Sequence, residues 1–178
     1  MAKKVSLILA CTLDGGIGYN NRIPWYIKDD LLKFKKITIE TEDKTKQNAV
    51  IMGSRTYISL PVIKLKDRIN IVISRTDENN KMYSDNGIIK FSSIDLALKY
   101  CNTNDNIEKT YIIGGSYLYN YFLENSKQIY SIYLTIIKDK YYCDTYINIY
   151  DIIKNFKLEK DINDINDKYV SYICYNSI

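Results

Sequence analysis

Histidine is absent from all 178 residues, and this absence excludes more chemistry than any other feature of the chain. A Ser-His-Asp triad, a His-activated thiolate, an HExxH zinc helix and a Cys₂His₂ finger all need an imidazole as base or ligand. The four cysteines, Cys11, Cys101, Cys143 and Cys174, are too scattered for a CxxC pair, so no metal is expected. No apolar run approaches membrane-spanning length. Met1-Ala2-Lys3-Lys4 leads directly into a short apolar strand, without the core length or cleavage site of a secretory signal. Scattered cysteines and no leader read as a cytosolic chain, with the thiols acting as small apolar side chains. Arginine is also scarce. Arg22, Arg55, Arg68 and Arg75 stand against 21 Lys, so each position that uses the planar guanidinium fork calls for a reason.

What is present is enough for one core: 46% apolar residues over the length of a single domain, taken here as residues 1–178. The net charge of +4 is dispersed, and the densest cluster is only Lys33-Lys35-Lys36. Nucleic-acid binders concentrate their cations, so no nucleic-acid partner is expected, and no membrane partner either. An anionic small molecule or plain solubility accounts for +4 equally well. The 18 Tyr read as compositional bias.

Strand-like runs occur at Val5–Cys11, Ala49–Met52, Ile69–Ser74, Gly87–Phe91, Thr110–Ile113, Gln128–Ile137, Lys157–Lys160 and Lys168–Tyr175. Helical patterns fall between them at Lys28–Ile39, Ser54–Leu60, Ser93–Cys101 and Gly115–Asn125. Polar stretches at Glu40–Gln47, Asp77–Asn86 and Asn102–Glu108 read as surface loops. Short apolar strands alternating with helices predict an α/β domain: a central, mostly parallel eight-stranded sheet with four helices flanking both faces. The two late strands lack an intervening helix, which predicts an antiparallel C-terminal edge strand; Lys168–Tyr175 is expected to complete the fold.

Ligands of open α/β sheets sit beyond the carboxyl ends of the strands, and the informative residues follow the strands here. Asp14-Gly15-Gly16-Ile17-Gly18 follows the first and is either a backbone surface for a ligand or an ordinary connection. It is neither GxGxxG nor a Walker loop. In the helix after Trp25, at ~100° per residue, Phe34 lies about 40° and Ile37 about 20° from Asp30. Asp30 is thus on the apolar face, either a buried acid with a raised pKa beside a cleft or a hydrogen-bonded helix-start residue. Asp29 faces Lys33 and Lys36 and reads as solvated. Gly53-Ser54-Arg55-Thr56, Ser74-Arg75 and Gly114-Gly115-Ser116 close three further strands. Each alone fits a helix cap or turn; together on one rim they fit a ligand with several phosphates. Arg68, ahead of the third long strand, is either an exposed loop cation or a planar fork for a carboxylate or phosphate.

These blocks resemble dihydrofolate reductase over nearly the whole chain. The matching residues are Val5–Ala10, Gly16-Ile17-Gly18, Ile23-Pro24-Trp25, Asp30 with Phe34, Gln47-Asn48, Val50-Ile51-Met52-Gly53, Arg55-Thr56, Leu65 with Arg68, and Ser74-Arg75. Ile112-Ile113-Gly114-Gly115-Ser116, Leu118-Tyr119, Tyr133-Leu134-Thr135 and Asp144-Thr145 complete the pattern in the same order. The resemblance implies NADPH-dependent reduction of 7,8-dihydrofolate, with or without a polyglutamate tail, by a monomer. It implies a catalytic set of Asp30, Trp25 and Thr135, with Asp30 supporting protonation at N5. It implies a substrate pocket of Ile8, Leu9, Asp30, Leu31, Phe34, Leu60, Leu65, Ile113 and Thr135, with Arg68 clamping the glutamate α-carboxylate. For NADPH it implies Ala10, Ile17, Gly18, Gly53, Ser54, Arg55, Thr56, Ser74, Arg75, Ile113, Gly114, Gly115, Ser116, Tyr117, Leu118 and Tyr119. Ser74 with Arg75 would read the 2′-phosphate, Gly114-Gly115 would be a cis peptide, and Asp14 to Trp25 would form a lid.

Four positions depart from the family pattern: Asp67 stands for a usual Gly, Tyr57 for Trp, Cys143 for a Gly, and Ile23 for Met or Leu. Another reductase on the same scaffold, acting on a pyrimidine or a different pterin, is the enzyme alternative. Asp30 paired with Arg68 fits it less well. A non-catalytic binding module is the other, and would need clustered cations and stacking aromatics.

Overall fold

The computed structural model describes residues 4–74, 83–165 and 168–176, the side chains of 83–85, 160–165 and 176 aside. The strands are β1 (Val5–Thr12), β2 (Gly16–Gly18), β3 (Gln47–Gly53), β4 (Arg68–Ile73), β5 (Tyr83–Asp85), β6 (Ile88–Phe91), β7 (Ile107–Ile112), β8 (Ile129–Ile137), β9 (Thr145–Tyr146), β10 (Phe156–Ile165) and β11 (Tyr169–Asn176). The helices are α1 (Lys28–Ile39), α2 (Ser54–Ser59), α3 (Ile94–Thr103), α4 (Ser116–Glu124) and α5 (Ile149–Asn155).

The main sheet runs β10-β11-β8-β1-β7-β3-β4-β6-β5, and β2 pairs separately with β9. All pairs from β8 through β6 are parallel, as continuous apolar strands joined by helices require. The eight expected strands all form; β5 is a ninth, inside the stretch read as a loop at Asp77–Asn86. The late strands make the antiparallel margin, but the outermost one is β10, with the C-terminal β11 held between it and β8. A fifth helix, α5, lies in a stretch with no clear helical stripe, and only Ile152 of it is buried.

Alternation along the central strands sorts side chains into two cores. Leu7, Leu9 and Cys11 join Ile51, Ile71 and Ile112 beneath α3, α4 and α5. Ile8 joins Val50, Met52, Val72 and Tyr111 beneath α1 and α2. The second cluster is the smaller of the two, with Phe34, Ile37, Tyr57, Leu60, Leu65, Ile113 and Tyr133 partly buried against it. No helix among the described residues is long and apolar enough to cross a membrane.

Candidate active site

Helix α1 takes the bounds expected from its periodicity, with Asp29 and Asp30 in the first turn, where carboxylates oppose the helix dipole. Phe34 and Ile37 pack into the smaller core. The same face brings Asp30 to a half-buried position, whereas Asp29 is exposed. Thr135 Oγ1, buried on β8, donates to Asp30 Oδ1 at 2.7 Å, and the Ser171 hydroxyl on β11 lies 3.4 Å from Thr135 Oγ1. Three elements distant in sequence thus converge on one carboxylate.

Ile8, Phe34, Leu60, Leu65 and Ile113 belong to one apolar cluster beside this carboxylate. Leu31 stands 45% exposed on α1, as a residue at a cleft mouth does. Leu9 does not join them: being odd in the β1 alternation, its side chain packs into the opposite core. The sequence reading placed it in the pocket; only its main chain belongs to that side. Arg68 lies at the far end of the cluster, 9% exposed, with Cζ 5.9 Å from the Phe34 ring centroid. Burial pulls its pKa down and the neighbouring Asp67 pushes it back up. Asp67 adopts φ +62°, the left-handed region that favours glycine, which Asp tolerates better than most residues.

The strand ends at the other side of the cleft are glycine-lined. Gly114-Gly115 is a cis peptide, and the Gly53 amide donates to Gly114 O at 2.8 Å, joining the ends of β3 and β7. A Cβ on Gly115 would approach Thr56 Oγ1 to 3.2 Å, and one on Gly114 would approach the Tyr119 ring at 3.2 Å. Neither α2 nor α4 has an acidic residue in its first turn or a side-chain cap, so no carboxylate or capping side chain faces the backbone amides of Ser54–Thr56 or of Gly115 and Ser116. Ser54 and Arg55 are exposed here, and Ser74 follows β4 on the same rim. Tyr119 is buried, with its hydroxyl donating to Ile8 O at 2.9 Å, and burial pushes its pKa up. Leu118, assigned to the cofactor from sequence, is 1% exposed in the larger core, so its side chain does not face this rim. Arg75 lies outside the described residues.

The glycine segment after β1 folds back as β2 against β9. Gly16 is required there: a Cβ would sit 2.6 Å from Cys143 Sγ and 2.7 Å from Thr12 Oγ1. Trp25 is buried against Tyr141, ring centroids 5.4 Å apart, in a cluster that includes Ala10. Asn20 N donates to Asp144 Oδ2 at 2.8 Å, and Asp144 N donates to Gly18 O at 2.9 Å, so Asp144 fastens the segment twice. The Asn20 amide first, then the Thr145 hydroxyl, holds the Asp144 carboxyl below its ordinary value. A depressed folded-state pKa means that this fastening is present above the unfolded value of 3.8 and is lost as pH falls through the folded value. Asp144→Asn is expected to reproduce the loosening at neutral pH, seen as several-fold faster amide exchange at Asn20 with little change in global stability. Equal exchange in the two proteins would refute the latch.

Burial pushes the Cys11 and Cys174 thiols up to about 12, so neither is a thiolate at neutral pH and neither competes as a nucleophile.

The dihydrofolate reductase family model matches residues 4–177. The chain belongs to the dihydrofolate reductase family. It is 38% identical to the bifunctional dihydrofolate reductase-thymidylate synthase of Paramecium tetraurelia over 98% of this chain, and spans 36% of that longer protein. It is 37% identical to the dihydrofolate reductase of Heliothis virescens, covering 80% of this chain and 78% of the relative. With the dihydrofolate reductase of Aedes albopictus it shares 34% identity over 92% of this chain and 88% of the relative. Dihydrofolate reductase is an oxidoreductase family that uses a nicotinamide cofactor.

Several residues that build this reductase-family site escaped the sequence reading. Thr38, Asn48 and Asn70 are each 0% exposed and hydrogen-bonded around Arg68 or the end of α1. Their signal was available: Asn48 and Asn70 are amides inside otherwise apolar strands, and Thr38 follows Phe34 by one helical turn.

Proposed function

We propose that this chain catalyses the NADPH-dependent reduction of 7,8-dihydrofolate to 5,6,7,8-tetrahydrofolate. The observation that carries the reading is Asp30, half-buried and held by Thr135 at 2.7 Å, on the same helix as Phe34, over whose ring the buried Arg68 guanidinium lies, beside the apolar cluster of Ile8, Leu60, Leu65 and Ile113. That spacing of acid, apolar wall and cation suits a polar pterin ring, a benzoyl linker and a carboxylate tail.

Asp30 binds the pterin ring nitrogen and 2-amino group, which fixes the ring and favours a proton at N5, delivered through solvent. Thr135 keeps the carboxylate in the accepting orientation. Ile8, Leu31, Phe34, Leu60, Leu65 and Ile113 remove water from the ring and linker. Arg68 takes the glutamate α-carboxylate through a two-point fork.

Backbone amides at Ser54–Thr56 and at Gly115 and Ser116 suit the pyrophosphate, since no carboxylate stands in either first turn. Ala10, Ile17 and Gly18 border the nicotinamide, and Ser74 with Arg75 reads the 2′-phosphate. When bound, NADPH supplies the hydride that C6 of the substrate receives. The lid from Asp14 to Trp25 shuts water out and opens for product release. The chain acts as a monomer on free or polyglutamylated dihydrofolate, in a reducing compartment where its four cysteines, none of them in a disulfide, persist as thiols.

The test is loss of NADPH absorbance on addition of dihydrofolate to the folded protein. Steady turnover is expected, and its absence overturns the reading.

A further inference from the structure

We infer that Thr38 is a positioning residue that presets the Arg68 guanidinium for the substrate's carboxylate. The inference rests on Arg68 being the carboxylate fork proposed above.

Arg68 carries five N–H donors in one plane. Nη1 donates to Thr38 Oγ1 at 2.8 Å and Nε donates to Lys66 O at 2.9 Å. A plane held at two points cannot rotate about the side-chain axis. The direction of its remaining edge, Nη2 and the second Nη1 proton, is therefore decided before any ligand arrives. Among the described residues no acceptor takes a hydrogen bond from Nη2.

Thr38 suits this task through its own proton. Its hydroxyl donates to Phe34 O at 2.7 Å, one turn back on α1, so the oxygen turns its lone pairs toward Arg68. The position of Thr38 is set in turn by Asn48. Asn48 Nδ2 donates to Thr38 O at 3.2 Å and Glu40 O at 2.9 Å, and its Oδ1 accepts from Lys109 N at 3.1 Å. The other side of Arg68 is held by Asn70, whose Nδ2 donates to Leu65 O and Arg68 O, each at 2.8 Å, while its Oδ1 accepts from Leu65 N at 2.9 Å. The tight turn through Asp67 is thereby fastened to β4.

A brace serving stability alone would hold helix to strand with no consequence for one end of the substrate. A brace that aims the fork has a directional consequence: its loss is felt only by substrates with a carboxylate tail. Preorganisation of this kind changes affinity by removing the cost of ordering the group on binding.

The experiment compares dihydrofolate with 6-methyl-7,8-dihydropterin, which lacks the benzoylglutamate, in the full chain. Thr38→Val keeps the branched shape and removes the hydroxyl. It is expected to lower kcat/KM for dihydrofolate about tenfold through KM, leaving kcat within about twofold, and to leave the tail-less pterin within about twofold. Thr38→Ser is expected to restore the parent value, and Thr38→Val in an Arg68→Ala background is expected to cost nothing further. Should Thr38→Val not fold, Thr38→Ala carries the same comparison. Equal losses on both substrates, or an undiminished loss in the Arg68→Ala background, overturn the inference while leaving the proposed function intact. Failure of the unmodified protein to reduce either substrate overturns the proposed function and this inference together.

Discussion

Asp30→Asn is expected to cut dihydrofolate turnover about a hundred- to a thousandfold at pH 7, in the range that a positioned acid or base contributes. The amide keeps the shape of the carboxylate and can still accept from Thr135 Oγ1, which donates to Asp30 Oδ1 at 2.7 Å. What it lacks is the negative charge that, on the proposed reading, raises the proton affinity of N5. The loss should therefore shrink as pH falls toward about 5, where solvent supplies protonated substrate directly. A kcat profile over about pH 5 to 8 decides the matter. An unchanged rate at pH 7, or a loss of equal size across the profile, removes Asp30 from the proton path. Binding of NADPH, measured separately, should stay within a few-fold, because Asp30 stands on α1 and the glycine rim belongs to other elements.

Arg68→Lys is expected to raise KM for dihydrofolate about ten- to a hundredfold with kcat nearly unchanged, the range expected for loss of charge-assisted, two-point hydrogen bonding. Charge is conserved, so a simple attraction between cation and carboxylate would predict almost no effect. On the proposed reading, the hydrogen bonds that Arg68 already makes are why the fork matters. Nε is spent on Lys66 O and one Nη1 proton on Thr38 Oγ1, which leaves a separate edge for the ligand. A lysine ammonium has three donors on one atom and cannot hold the loop, the helix and a carboxylate in the same plane. Steady-state kinetics with dihydrofolate are sufficient; an unaltered KM means that the carboxylate is bound elsewhere.

The two predictions act at opposite ends of one cleft and on different kinetic constants. An interaction that strengthens in the reacting state, as the Asp30 charge does when N5 gains its proton, lowers kcat, whereas one used equally in ground and reacting states moves KM. The double variant should combine both effects nearly multiplicatively, because the hydrogen bond to Asp30 comes from Thr135 and those from Arg68 go to Lys66 and Thr38.

Local pattern was sufficient to identify much of this. The bounds of α1, the presence of the eight main strands and the choice of Asp30 over Asp29 follow from periodicities of 3.6 and 2 along the chain. So does the placement of Phe34 with Ile37, and the gathering of Gly53, Ser74 and Gly114 at strand ends follows from the α/β order. The absence of histidine bounded the chemistry to carboxylates, hydroxyls, backbone amides and a borrowed cofactor. Residue type by itself left Arg68 as either a loop cation or a planar fork, and its carboxylate partner came from the family resemblance.

Tertiary structure decided what depends on side and neighbour. Alternation says that Ile8 and Leu9 face opposite ways, but only the helices laid on each face determine that Ile8 meets the cleft and Leu9 the larger core. Leu118 turned inward for the same reason, since α4 is anchored by its apolar face. That β10 rather than β11 lies outermost depends on a pairing between β11 and β8 across intervening chain. Thr135 reaches Asp30 across 105 positions, and Arg68 reaches Thr38 across 30. Such hydrogen bonds form between groups that no local period connects. A buried polar side chain announces in sequence that it needs a partner, and only the fold brings that partner within reach.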